Sequence, residues 1–290
     1  MKHGYFHVEE FFHKGSNTFS YVVHDGTHAA VIDPVLDFDH RAGRTSTTDA
    51  EKIVKYVQEN NLKTQWVLET HAHADHLSAA PFIKRQLGGH LAIGEHIDKV
   101  RQVFAEMFND KQILDGRLPA FDKTFTDNEG FFIGNLRARY LHTPGHTPAC
   151  GVYVIEETAA FVGDTLFMPD AGTARCDFPG GSAERLYKSI TEKIFALPPE
   201  TALYMCHDYG AGGTREAANK TTVQEEKENN IHVGGGASMQ AFVKMRSDRD
   251  KTLDLPLLII PSVQVNIRGG DLPPAEDNGT RYIKIPLDKF

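Results

Sequence analysis

Six consecutive residues, His71-Ala72-His73-Ala74-Asp75-His76, hold three imidazoles and a carboxylate. They follow Trp66-Val67-Leu68, an apolar run that reads as a short buried strand. A loop leaving the end of a rigid strand can aim several side chains at one point. Imidazole and carboxylate bind first-row metals, and they suit iron and zinc alike. The same ligand types recur after later apolar runs. His142 and His146 stand in His142-Thr143-Pro144-Gly145-His146-Thr147, Asp164 in Gly163-Asp164-Thr165-Leu166-Phe167, and His207 in Cys206-His207-Asp208-Tyr209. One histidine at a strand end is most often a hydrogen-bonded structural residue. The ordered combination is hard to obtain by chance, and it predicts a metalloenzyme.

The elements that must carry these residues follow from periodicity. Residues 5–12, 20–23 and 29–32 are rich in aromatic and β-branched types, with a hairpin turn at His24-Asp25-Gly26-Thr27. Asp33-Pro34 ends that meander. A helix opens at Thr48-Asp49-Ala50-Glu51, with Ile53, Val54 and Val57 on one face. The next helix is expected from near His76 through Leu87, stopped by Gly88-Gly89. Strands at 131–133, 136–141, 151–155 and 159–162 form a second β-rich block. After it come a helix over 182–195, a strand at 203–205, a polar helix over 214–229 and an amphipathic helix near 239–245. Two β-rich blocks, each followed by helices, predict an α/β fold of two sheets packed face to face with helices outside. Residues 1–233 are expected to form the catalytic domain, with 234–290 a C-terminal extension packed on it.

Composition narrows the function. The chain has 290 residues, 40% hydrophobic and 24% charged, enough to build a core without disulfides. The three cysteines, Cys150, Cys176 and Cys206, match no zinc ribbon or disulfide framework and read as small buried fillers in a reducing compartment. Cys176 stands apart because its loop is expected beside the site. A net charge of −8 argues against nucleic acid or anionic lipid as partner. No signal-like or membrane-spanning run is visible, which predicts a cytoplasmic location. A homo-oligomer is as compatible with the composition as a monomer. Gly210-Ala211-Gly212-Gly213 and Gly234-Gly235-Gly236 lack the following Lys-Ser/Thr of a phosphate loop and read as turns.

Taken together, the motifs resemble the metallo-β-lactamase superfamily, and within it the persulfide dioxygenase branch, also called sulfur dioxygenases or bacterial β-lactamase-like hydrolases. The narrower likeness rests on residues 70–76, 143–148 and 163–167. It rests also on Arg175-Cys176-Asp177-Phe178-Pro179-Gly180-Gly181, on Leu186-Tyr187-Lys188-Ser189-Ile190 and on 206–209. The resemblance implies an αββα sandwich, one non-haem Fe(II) per chain, and oxidation of glutathione persulfide, or a similar small persulfide, by O2 to sulfite and glutathione. In the branch the iron ligands match His71, His146 and Asp164, a two-His, one-carboxylate set with positions open to thiolate and O2. His73, Asp75, His76 and His207 would then support that set.

Hydrolases of the superfamily use the same positions for two metals. His71, His73 and His146 would hold one zinc, Asp75, His76 and His207 the other, with Asp164 between them. The alternative function is therefore a dizinc hydrolase of glutathione thioesters or lactones, like hydroxyacylglutathione hydrolase. Ligand types alone do not choose, since every residue for two metals is present. Tyr209 is a candidate catalytic group able to hydrogen-bond a metal-bound ligand. Arg175, Arg215 and Arg268 are candidates for the substrate's carboxylates, Arg215 and Lys220 being expected on a helix that starts near the metal. The branch commonly has Gly-Arg-x-Asp-Phe after the Gly-Asp-x-Leu-Phe motif. Here Gly172-Thr173-Ala174-Arg175-Cys176-Asp177-Phe178 carries two extra residues. Some bacterial relatives carry a fused sulfurtransferase domain; no rhodanese-like cysteine loop occurs in this sequence.

Overall fold

The structure is a computed structural model describing residues 5–117 and 120–289. Strands β1 (His7–His13), β2 (Thr18–His24), β3 (His28–Ile32), β4 (Val35–Asp39) and β5 (Arg44–Ser46) precede helix α1 (Thr48–Glu59). Then come β6 (Lys63–Leu68), β7 (Leu77–Ser78), α2 (Ala80–Leu87), β8 (His90–Gly94), α3 (Ile97–Phe108), α4 (Lys111–Leu114) and β9 (Lys123–Phe125). The second half holds β10 (Gly130–Ile133), β11 (Leu136–His142), β12 (Gly151–Ile155), β13 (Ala159–Phe161) and α5 (Ala183–Lys188), which runs into a π-helical turn at Ser189–Ile194. It continues through β14 (Ala202–Tyr204), α6 (Gly210–Gly213), β15 (Lys220–Thr222), α7 (Val223–Asn229), α8 (Met239–Asp250) and α9 (Ile259–Asn266).

One sheet runs β1-β2-β3-β6-β8-β9 and the other β10-β11-β12-β13-β14-β15. Alternation along each strand sends one face of each sheet to a shared core, where Tyr21, Ile32, Leu68 and Phe125 meet Tyr140, Tyr153 and Phe161. The opposite faces bury helices. Val22, Val31 and Val67 pack with Ile53, Val57 and Ile83 of α1 and α2, while Val152, Val154 and Leu203 pack with Leu186, Ile190 and Phe242. Helices therefore flank two stacked sheets in the expected αββα sandwich. Strands β3 and β6 are parallel, so their carboxyl ends share one rim. Both the Asp33 segment and the residue 69–76 loop leave the sheet there.

The structure departs from the sequence expectations where a polar or uniformly apolar stretch carries no period. Past Asp33-Pro34 the chain makes a hairpin, β4–β5, and β4 pairs with β7 directly after His76 (Val35 with Ser78, Leu36 with Leu77). Those ladder bonds claim residues 77–78, so α2 starts at Ala80 rather than near His76. The polar segment after Thr214 becomes helical only at Val223. Lys220–Thr222 pairs with β14, and the Thr222 hydroxyl caps α7 through the amide of Glu225. Helix α9 is buried on most sides and so shows little amphipathic period in sequence. Among the described residues no helix is long and apolar enough to cross a membrane.

Candidate metal centre

Two glycines show how the local chain is bent to present ligands. Gly145, with φ at +151°, lies so close to α5 that an added Cβ would stand 2.4 Å from the Leu186 backbone. His146 follows it. Gly163, at φ +53°, packs on the Thr70 side chain, where a Cβ would come within 2.6 Å of Oγ1, and Asp164 follows it. At both places the chain approaches a neighbour more closely than a side chain permits, and the next residue points to the rim.

The ligand candidates converge there. His71 Nε2 lies 3.7 Å from Asp164 Oδ2, and His146 Nε2 lies 3.6 Å from the same oxygen. His207 Nε2 stands 3.5 Å from Asp164 Oδ1 and 3.2 Å from Asp75 Oδ2. His76 Nδ1 is 3.5 Å from Asp75 Oδ1. Two of the donor groups that result are His71, His146 and Asp164 in one, and His73, Asp75, His76 and His207 in the other; Asp164 and His207 also converge with Cys206. Donors each about 2.1 Å from a common ion sit roughly 3–3.5 Å apart, so both groups have nearly the spacing of a coordination shell.

Chemistry of the donors tests the fit further. Among the described residues, His71 Nε2, His73 Nδ1, Asp75 Oδ2, His76 Nε2, Asp164 Oδ1 and His207 Nε2 are buried without a hydrogen-bond partner. Each such atom costs about 1–3 kcal/mol if nothing satisfies it. A cluster of them is explained by metal ions. The opposite ring nitrogens are fixed, as ligating histidines require. His146 Nδ1 contacts the Arg175 carbonyl oxygen at 2.7 Å, and His71 Nδ1 contacts Thr70 Oγ1 at 3.1 Å. Burial, helped by the neighbouring imidazoles His73 and His146, holds His71 well below the usual histidine range. Burial and His73 likewise push His76 down to about 4. Both rings are thus neutral at physiological pH, with a lone pair to offer. Burial opposes charge on Asp75, but His207 and His76 outweigh it and depress its pKa.

Asp33, Glu69 and Asn266 support the loop, and motif reading gave the two acids no role. Asp33 Oδ1 accepts the Thr70 amide at 2.7 Å and Oδ2 accepts the Thr70 hydroxyl at 2.9 Å. His73 Nε2 lies 3.1 Å from Asp33 and 3.3 Å from Glu69, which turns Nδ1 toward the cluster. Burial works against charge on His73, yet Asp33 and Glu69 raise its pKa. Asn266, near the end of α9, donates to the His73 and His76 carbonyls, both at 2.8 Å, and accepts the Ser78 amide at 2.8 Å. The signal available in sequence was a polar residue inside an apolar helix.

The candidate substrate arginines are placed differently from expectation. The Arg175 fork pairs with Asp177 at 2.6 and 2.7 Å, and Nη1 donates to the Asp254 carbonyl at 2.6 Å. It braces a loop against the tail. Arg215 is not helical; it clamps Asp170 and Asp208, and so holds the segment beside His207. Arg268 is buried against Asp110 and Gln112. Because each guanidinium is engaged by a carboxylate of the fold, none presents an open fork. Tyr209 is 50% exposed, its ring parallel to that of His207 at 6.2 Å, beside the centre, and among the described residues its hydroxyl has no hydrogen-bonded partner. Cys150, Cys176 and Cys206 are buried free thiols; Cys206 lies beside the ligand cluster, its sulfur grouped with Asp33 and His73 and with Asp164 and His207.

Comparison with known proteins follows the same lines. The metallo-beta-lactamase superfamily model matches residues 13–207. A probable metallo-hydrolase of Burkholderia pseudomallei is 49% identical over 292 residues, covering 97% of this chain and 99% of the relative. The mitochondrial persulfide dioxygenase ETHE1 of Homo sapiens is 31% identical over 266 residues, covering 91% of this chain and 88% of that one. Among solved structures, ETHE1 from Myxococcus xanthus superposes with a TM-score of 0.73 at 26% identity, over 91% of this chain and 100% of that chain.

Proposed function

This chain belongs to the metallo-β-lactamase superfamily, and on that premise we propose that it is an iron-dependent persulfide dioxygenase, oxidising glutathione persulfide with O2 to sulfite and glutathione. The observation that carries the reading is the group His71, His146 and Asp164, two imidazoles and one carboxylate whose donor atoms lie together, Asp164 also facing His207. Such a set suits non-haem Fe(II) and leaves open positions for two reactants. Its likeness in fold and length to ETHE1 supports the same reading. Bound iron supplies a centre at which a sulfur anion can react with O2 despite their spin mismatch. The chain's own residues do the remaining work. Arg175 O fixes the His146 ring, Asp33 orients His73, and Asn266 and Thr70 hold the loop. The depressed pKa of His71 keeps its lone pair free.

A second reading has its own observation. Asp164 Oδ1 faces His207 while Oδ2 faces His71 and His146, the posture of a carboxylate between two metals. That favours a dizinc hydrolase of glutathione thioesters, and the 49%-identical metallo-hydrolase fits it. An oxygen electrode with fresh glutathione persulfide, run beside a thioester cleavage assay on the same iron-loaded protein, separates them. The dioxygenase reading expects O2 uptake with sulfite formed. Rapid thioester cleavage without O2 uptake would replace it with the hydrolase.

A further inference from the structure

If Arg175, Arg215 and Arg268 are spent within the fold, an anionic substrate on a chain of net charge −8 still needs a cation. The β4–β5 hairpin supplies one. It rises from the rim that carries the metal ligands, since β3 ends there and β4 is hydrogen-bonded to the residues directly after His76. Between the hairpin and Leu258 lies a cavity of about 340 Å³ whose wall includes the ligand candidate His76 together with Leu36, Phe38, Asp39 and Arg44. Arg44 is exposed, and among the described residues its guanidinium enters no ion pair or hydrogen bond. Asp39 sits directly across the ladder from Arg44, so both side chains project from the same face. Its Oδ1 accepts the Arg41 and Ala42 amides, at 3.0 and 3.2 Å, which fixes the carboxylate and leaves Oδ2 open.

An open guanidinium and an open carboxylate side by side match a group that bears a carboxylate and an ammonium on one carbon. We propose that this hairpin is the subsite for a zwitterionic amino-acid end of the substrate, with Arg44 pairing the carboxylate and Asp39 the ammonium. The inference rests on the glutathione reading above, because the γ-glutamyl end of glutathione carries that pair of charges. Leu36, Phe38 and Leu258 share the rest of the cavity wall with the polar His13, Asp37 and Ser46. Arginine's planar fork suits the carboxylate, and the fixed Asp39 loses little freedom on binding.

The test is calorimetric titration of S-methylglutathione, whose capped sulfur cannot react, into the metal-loaded protein and its variants. Arg44→Ala should weaken binding about 10- to 100-fold, as loss of a charged hydrogen-bonded pair does. Arg44→Lys should recover part of that loss. N-acetylation of the ligand's amine should weaken binding to the wild type and abolish its sensitivity to Asp39→Asn. Both positions are exposed, so the variants should melt as the wild type does. Wild-type affinity in Arg44→Ala, or no binding of S-methylglutathione to the wild type, overturns the subsite. The outcome is separable from that of the reaction. If the enzyme cleaves thioesters and Arg44→Ala still weakens binding, the subsite stands and the dioxygenase reading falls. O2 uptake with unchanged affinity in Arg44→Ala gives the reverse.

Discussion

Replacing Asn266 with alanine removes three hydrogen bonds at once, two from Nδ2 to the His73 and His76 carbonyls and one from the Ser78 amide to Oδ1. Asn266 is buried, so water does not replace its side chain freely. Each backbone group left unpaired in such a place costs about 1–3 kcal/mol, and partial relaxation of neighbours brings the expected sum to roughly 3–5 kcal/mol. That is a large share of the ~5–15 kcal/mol by which a domain is stable. The same bonds set the path of the ligand loop between His73 and Ser78. His73 and its neighbours support the iron ligands in this reading rather than bind the metal, so metal affinity should fall by about 10-fold, the low end of the effect of losing a supporting group. Urea unfolding with and without metal, beside competition with a chelator, reads both quantities. Saturating metal should restore part of the lost stability, since it binds the folded state. A loss below about 0.5 kcal/mol with wild-type metal affinity would refute the claim that α9 holds the loop, because that is the range of a neutral surface change.

Two further outcomes follow from buried or paired charges elsewhere. Burial pushes the Glu226 carboxyl up to about 8 from an ordinary 4.5, against the partial support of Asn230. The folded state thus keeps a proton that the unfolded chain releases, and stability should fall as pH rises from about 4.5 to 8. Glu226→Gln should remove that slope and stabilise the protein by a few kcal/mol at pH 9, as thermal melts across pH would show. Arg175→Ala should lose about 1–3 kcal/mol by freeing Asp177 and the carbonyls at 253 and 254, with KM for a glutathione substrate within about threefold of wild type. A KM raised tenfold or more at unchanged stability would return Arg175 to the substrate pocket.

The sandwich and the ligand cluster were legible in sequence for one reason. Each ligand follows an apolar strand, and strands with a buried face must end at a rim. Alternation in 136–141 and 151–155 and the helical face of Ile53, Val54 and Val57 carry that information locally. What stayed hidden depends on partners distant in sequence. The β4–β5 hairpin is polar and short, and it exists because β4 pairs with β7, some forty residues later. Asn266 acquires its role from carbonyls near residue 75, and Arg175 from Asp254. An arginine in a motif shows its charge, while its partner is fixed only by the fold. Asp33 and Glu69 were missed because an acid at a strand end looks like turn chemistry until the His73 ring is seen beside it.

Metal analysis of protein expressed and purified without added metal tells a mononuclear iron site from a dinuclear zinc site. About one iron per chain is expected, abolished in His71→Ala, His146→Ala and Asp164→Ala and retained in Asp75→Ala, because Asp75 lies outside the two-imidazole, one-carboxylate group. Two zinc ions per chain, with one lost in Asp75→Ala and no O2 uptake gained on iron loading, would contradict it.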